Sequence, residues 1–153
     1  MIKKLSFILS LCLFFFFSAC STPTLSSSFS GKVKKEYFTG GGLRSEFLMS
    51  DDSEQNGLLK QYGYDGKLTS TVELRNGLKN GIETLYDTRG KVLKKTPYLN
   101  NRKNGVVKAY YPNGDIIGEM TFVNGAKHGK AVIYNIDGSV RQEAMFQNGK
   151  RKN

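Results

Sequence analysis

The chain has 153 residues, with 23 lysines and arginines against 13 aspartates and glutamates, and its formal charge is +10. This length gives room for one domain. The single histidine and the two cysteines, which both lie in the first twenty residues, exclude a Cys/His metal site and a disulfide in the rest of the chain. We therefore expect no metal and no cofactor.

The N-terminal segment has the pattern of an export signal. A short basic start containing Lys3 and Lys4 precedes a nearly unbroken apolar run over residues 5–17. The run is too short to cross a bilayer comfortably, but it suits a secretory signal peptide.

The end of this segment, Phe17-Ser18-Ala19-Cys20, resembles the lipobox of bacterial lipoproteins, with Phe17 where leucine is usual. The resemblance implies cleavage before Cys20 and lipid attachment to it. The alternative is an ordinary signal peptide that is cut near Ala19, with Cys20 incidental.

Three segments follow from this interpretation. Residues 1–19 form the signal peptide, residues 20–31 hold the lipidated cysteine and a Ser/Thr/Pro tether, and residues 32–153 form the folded domain. We expect a cell-envelope location. Ser21 after the lipidated cysteine favours the outer membrane if there are two, by resemblance to sorting preferences, and the sequence leaves open which side the domain faces.

The charge limits the class of partner. Without Lys3 and Lys4, 21 basic and 13 acidic residues leave +8. A basic excess often indicates nucleic-acid binding, but an exported protein rarely meets nucleic acid. Anionic lipid head groups, an anionic envelope polymer or an acidic protein surface are the expected counterparts.

A 24-residue period dominates the folded part. It is marked by one column of tyrosines and by two of glycines, and a fixed period of this size indicates an array of stacked supersecondary units. The columns are Tyr62, Tyr86, Tyr110 and Tyr134; Gly66, Gly90, Gly114 and Gly138; and Gly57, Gly81, Gly105 and Gly129. One step back lie Phe38 and Gly42, which predict a degenerate first unit.

Each unit has the pattern of a β-hairpin. Apolar residues alternate with polar ones, as in a strand with one buried face. Asp-Gly and Asn-Gly pairs supply the positive φ of tight turns, and Asn100-Asn101 replaces one such pair. We predict an all-β, elongated single-layer meander or solenoid of about five stacked antiparallel hairpins, with about ten strands. Pro97 predicts a local break or bulge.

These motifs resemble the MORN repeat in its bacterial variant. The clearest copies are residues 122–129 (FVNGAKHG) and 74–81 (LRNGLKNG), and the resemblance covers about residues 38–153. It implies a β-hairpin solenoid used for association with proteins or membranes. Some bacterial members carry an antitoxin label, and the resemblance transfers no catalytic residue.

Two columns are candidate sites. The aromatic column is predicted to be structural, with a sugar or lipid groove as the alternative; it comprises Phe38, Tyr62, Tyr86, Tyr110 and Tyr134. A basic column in the connecting turns would form a stripe along one rim that binds anions or a partner. It comprises Lys79, Lys103, Lys127 and Arg151, and solvated turn lysines are the alternative.

The remaining polar residues give little support for catalysis. His128 occupies a slot that holds Asn80 and Asn104 in other units, and Asp51-Asp52 with Glu54 is more typical of a charged loop than of a cation site. We therefore expect a non-enzymatic, lipid-anchored envelope protein whose array is a binding or scaffold module for a protein partner or an anionic surface. An antitoxin- or immunity-like protein is the alternative.

Overall fold

The computed structural model describes residues 31–152, and every regular element in this range is a β-strand. The predicted signal peptide, Cys20 and most of the tether lie outside the described residues. No helix long and apolar enough to cross a membrane occurs between residues 31 and 152.

In this part of the chain, thirteen strands form one antiparallel sheet. They are β1 (Val33–Tyr37), β2 (Leu43–Met49), β3 (Gly57–Tyr62), β4 (Leu68–Arg75), β5 (Leu78–Lys79), β6 (Gly81–Tyr86), β7 (Val92–Leu99), β8 (Arg102–Lys103), β9 (Gly105–Tyr110), β10 (Ile116–Val123), β11 (Ala126–Tyr134), β12 (Val140–Gln147) and β13 (Lys150–Lys152).

The strands follow one another across the sheet in chain order, and the sheet does not close on itself. β5 pairs only with β4 and β8 only with β7, so β5–β6 and β8–β9 are each one strand interrupted at a single residue, Asn80 or Asn104. The predicted open meander of hairpins is confirmed. The strand number exceeds ten because of these two interruptions and the short β13.

The asparagine-containing turns have the expected conformation. Asn76 and Gly77 have φ of 51° and 72°, and Asn100 and Asn101 have 48° and 65°. Two successive positive φ values are typical of the type I′ hairpin turn. Asparagine therefore replaces glycine in the third unit without changing the turn.

The first unit is offset by one residue from the predicted period. Tyr37 pairs with Leu43 as Tyr62 pairs with Leu68, so Tyr37, and not Phe38, holds the aromatic position. Phe38 instead begins the turn, and its ring stacks 4.0 Å from that of Tyr64. The spacing from Tyr37 to Tyr62 is thus 25 residues, because the loop over residues 50–56 is one residue longer than its counterparts in the later units.

Pro97 does not break its strand, because β7 runs through it to Leu99. The irregularity lies on the facing strand, where Gly105 has φ of 120° and a Cβ would lie 2.9 Å from the Pro97 Cγ. A register shift at the same place separates Met120 from Phe122 in the β10–β11 ladder, where there is no proline. The bulge is therefore a property of the repeat.

The register assigns side chains to two faces of the sheet, since directly opposed residues share a face. The front face carries Phe47, Leu59, Val72, Thr96 and Met120, and the back face carries Glu46, Lys60, Thr71, Lys108 and Glu119. Six of residues 31–152 are buried, and all but Val132 lie on the front face: Ser45, Met49, Ser70, Val72, Thr96 and Val132.

Basic residues occupy both ends of the sheet. β1 is fully exposed and contains Lys34 and Lys35. At the other end, β13 pairs with β12 and consists of Lys150, Arg151 and Lys152. Charged residues on edge strands oppose unspecific pairing with other sheets.

Gly57→Ala should lower the free energy of unfolding by about 2–4 kcal/mol, measured by urea unfolding of the purified protein. Gly57 has φ of 154°, and an added Cβ would lie 2.1 Å from the Leu48 carbonyl oxygen, which is backbone and does not move aside. Gly40→Ala is the matched control, because no atom lies within 4 Å of its Cβ position. Equal losses from the two variants would contradict this steric explanation.

Candidate partner-binding surfaces

The tyrosine column lies on the back face and contacts neighbouring strands. The Tyr62 hydroxyl donates to Glu46 Oε2 at 2.8 Å, and the Tyr86 hydroxyl lies 3.3 Å from Thr71 Oγ1. Burial and the bond to Glu46 raise the pKa of Tyr62 to about 12, and the Tyr62 hydroxyl lowers the pKa of Glu46. These contacts join one hairpin to the preceding one.

The basic column lies in strands and not in the turns where we expected it. Lys79 is in β5, Lys103 in β8, Lys127 in β11 and Arg151 in β13. Their side chains lie on the front face, opposite the face of the tyrosines. The predicted placement of this column in the connecting turns is therefore wrong.

Each of the three lysines lies over an aromatic ring that is 19 residues further along the chain. The Nζ atoms of Lys79, Lys103 and Lys127 are each 5.1 Å from a ring centroid. The rings belong to Tyr98, Phe122 and Phe146 in that order. At this distance the cation is attracted by the negative face of the ring.

Cations and rings alternate along the front face. Tyr98 is opposite Lys103, Phe122 is opposite Lys127, and Phe146 is opposite Arg151. We call this row the aromatic–lysine ladder: Lys79, Tyr98, Lys103, Phe122, Lys127, Phe146 and Arg151. The sequence contained its signal, an aromatic residue five positions before each later cation. The register shift that puts Lys127, and not Gly129, opposite Phe122 is not visible in a period.

The ladder reduces the number of freely available charges. Besides its ring contact, Lys79 forms an ion pair with Glu83. Burial and the Glu83 charge raise the pKa of Tyr98. The side chain of Lys79 is still 37% exposed, so one side of the cation remains open to solvent.

The back face carries an exposed aliphatic patch that sequence reasoning missed. Five aliphatic residues on β5, β6, β7, β9 and β10 are 37–55% exposed, and we call them the apolar strip: Leu78, Ile82, Leu99, Val106 and Val123. Pro97, opposite Ile82, lies among them. In the sequence, the strip residues are visible as apolar residues that alternate with the residues of the front face.

A groove of about 410 Å³ lies on the front face near the last hairpins. Small residues form its floor, whereas earlier hairpins have larger residues at the same repeat positions. Ala131 corresponds to Leu59 and Val107, and Ala144 corresponds to Val72 and Met120. The walls are Met120 and Phe146. Its lining is mainly apolar, so an apolar group is the ligand it would accommodate.

The other candidate residues do not form a site. His128 is a half-buried residue of β11. Asp51 accepts hydrogen bonds from Ser53 and Asn56 within its loop, and these bonds lower its pKa, while Asp52 pairs with Lys32. No three His, Cys, Asp or Glu side chains between residues 31 and 152 are grouped as metal ligands.

Lys103→Met and Phe122→Leu should show a coupling free energy of about 0.5–1 kcal/mol in a double-mutant cycle, because the cation lies over the ring. Methionine keeps the length of the side chain and removes only its charge. Urea unfolding of the four proteins measures the coupling. Lys95→Met, on the opposite face, should not couple to Phe122→Leu, and equal coupling from Lys95 would contradict a direct contact.

Tyr62 should be the last tyrosine to ionise, in a step that Tyr62→Phe removes. Its raised pKa means that the folded protein keeps this proton to higher pH than the unfolded chain, whose value is near 10.0. The resulting stability is complete below pH 10 and is lost between pH 10 and about 12. Phenolate absorbance measures the step, and Glu46→Gln should move it to lower pH. A last step that stays in Tyr62→Phe would refute the assignment.

The family comparison matches two segments of the array. The model described as "MORN repeat variant" matches residues 79–100 and 103–124. Each match begins at a ladder lysine and ends in an asparagine-containing turn. No curated protein matches the chain.

One similar solved structure is a mutant of Staphylococcus aureus TarM in complex with fondaparinux, alpha-GlcNAc-glycerol and UDP. The identity is 8% and the TM-score 0.45, and the match covers 82% of this chain but 22% of that one. This similarity supports no statement about function. The repeat matches, together with the hairpins that they coincide with, show that the chain carries MORN repeats of the variant type.

Proposed function

We propose that the chain is a lipid-anchored envelope protein whose MORN array is a non-catalytic binding module for a protein partner. The observation that carries the proposal is the apolar strip. Soluble proteins rarely leave contiguous aliphatic patches in water unless a partner covers them. In this single-layer sheet, no second layer of residues 31–152 covers the strip.

A protein partner fits the back face better than an anionic surface does. Several back-face lysines are already paired with carboxylates, at 3.0 Å for Lys108–Glu119 and 2.7 Å for Lys130–Glu143. The strip itself is aliphatic. Aliphatic centres with a charged periphery are typical of protein interfaces.

The anionic-surface form of the proposal rests on the aromatic–lysine ladder. Its cations retain one open side on the front face, and several such charges near a membrane would add about 1 kcal/mol each. The two forms therefore use opposite faces of the sheet. This separation allows one experiment to distinguish them.

Photo-crosslinking in cells tests the protein partner. A photoreactive amino acid at Val106 lies in the strip, and the same group at Val107 points to the opposite face, so the two neighbours are a matched pair. We expect a specific adduct from Val106, identified by mass spectrometry, that Ile82→Ser reduces at least fivefold. An adduct from Val107 alone would contradict the back-face assignment.

The variant Lys79→Gln/Lys103→Gln/Lys127→Gln is examined alongside. It should leave the Val106 adduct unchanged and serves as the test of the anionic form. Loss of binding to phosphatidylglycerol vesicles in this variant, with no Val106 adduct in the wild type, would favour the anionic surface instead. Capture of a toxin at Val106, with lethality on deletion only when that toxin is present, would favour the antitoxin-like alternative.

The anchor has its own test. Cys20→Ser should abolish incorporation of labelled palmitate and move the protein from the membrane to the soluble fraction. Unchanged labelling would exclude Cys20 as the lipid site. That result would leave the binding proposal intact, since the Val106 crosslink does not depend on the lipid.

A further inference from the structure

We infer that copies of this chain associate end to end, with β1 of one copy pairing with the free edge of β12 in another. The inference starts from the incompletely paired outer edge of β12. β12 pairs with β11 along its length, but on its other side β13 covers only residues 145–147. Within residues 31–152, residues 140–144 therefore have a strand on one side only.

The repeat defines which kind of strand fits this edge. In the other hairpins the corresponding segment pairs with a strand that ends in the column tyrosine, as β2 pairs with β3 and β10 with β11. β1 is a strand of this kind. Tyr37 in β1 has the same register position as Tyr62 in β3. Moreover, β1 pairs with β2 alone, so its outer edge is free among the described strands.

The register also predicts which side chains would meet. Glu143 occupies the repeat position of Glu46, and Lys35 occupies that of Lys60. Since Glu46 is opposite Lys60 within the chain, Glu143 would be opposite Lys35 of the second copy. The two ends thus carry opposite charges at the paired position, and the junction would join the existing Lys130–Glu143 and Lys35–Glu46 ion pairs into one network.

A second contact repeats one that the chain already makes. The Tyr62 hydroxyl donates to Glu46 at 2.8 Å. The hydroxyl of Tyr37 in the second copy would reach Glu143 in the same way. Tyr37 is now 59% exposed, in contrast to the half-buried tyrosines of the array. The junction would therefore complete the tyrosine column.

Exposed apolar residues at the two ends would also be covered. Met145 is 50% exposed on the back face at the β12 end, and Val33 is 47% exposed on the back face at the β1 end. Extending the register brings Val33 next to Met145, where the added strand meets Lys152 of β13 and its pairing with β12 ends. The lysines at both ends oppose unspecific pairing, so the Glu143–Lys35 match is what selects another copy. Because the contact joins different surfaces, it generates open chains or rings and not two-fold dimers.

Disulfide trapping tests the contact in the full chain, purified in mild detergent at high salt so that repulsion between basic copies is screened. Lys35→Cys/Glu143→Cys should give a ladder of disulfide-linked oligomers at least fivefold above either single variant. The single variants carry the same Cys12 and Cys20 and control for those thiols. Lys34→Cys/Glu143→Cys, with one thiol on the opposite face, should stay at the control level, and a ladder of equal intensity there would overturn the register.

Charge reversal provides an independent measurement. Glu143→Lys alone and Lys35→Glu alone should each reduce the sedimenting mass towards that of one copy, and the combined variant should restore it. Circular dichroism verifies that each variant keeps its strands. Oligomers that persist in both single variants, or a folded double variant that remains monomeric, would overturn the inference.

Discussion

Between residues 31 and 152, a single sheet without a second layer is the constraint on which the rest of the structure depends. Only six of residues 31–152 are buried, so no central core determines which side chains belong where. Stability must come from backbone pairing and from contacts between neighbouring strands. The same contact then recurs at each step, and this explains why the sequence sorts into columns.

The turns keep the columns aligned. The amide of Gly125 donates to the carbonyl of Lys103, and that of Gly149 donates to the carbonyl of Lys127. The amide of Asn101 donates to Lys79 in the same way, so three asparagine-containing turns are each bonded to a ladder lysine one unit earlier. The lysine thus has two roles: its backbone fixes the following turn, while its side chain lies over the following ring. A change in one column would disturb the neighbouring one.

The fold was predictable from sequence because its determinants are local. Asn-Gly and Asp-Gly pairs require positive φ, and alternation gives the strand, so the hairpins and their order followed directly. Two predicted positions, those of the first aromatic residue and of the basic column, were wrong for reasons that the 24-residue period does not reveal. Phe38 and Tyr37 are adjacent aromatics, and one extra loop residue decided between them. For Lys103, pairing with Tyr98 of β7 makes the position part of a strand and not of a turn, and this pairing is not contained in the period.

One period produces surfaces of different character because each column tolerates different substitutions. On the front face, large residues fill the early hairpins and alanines open the groove in the later ones. On the back face, aliphatic residues gather in the two repeats that match the family. The residues that would join two copies, Glu143 and Lys35, do not belong to the apolar strip. Binding a partner through the strip and extending the array at its ends are therefore compatible, and end-to-end association would multiply the number of strips presented side by side.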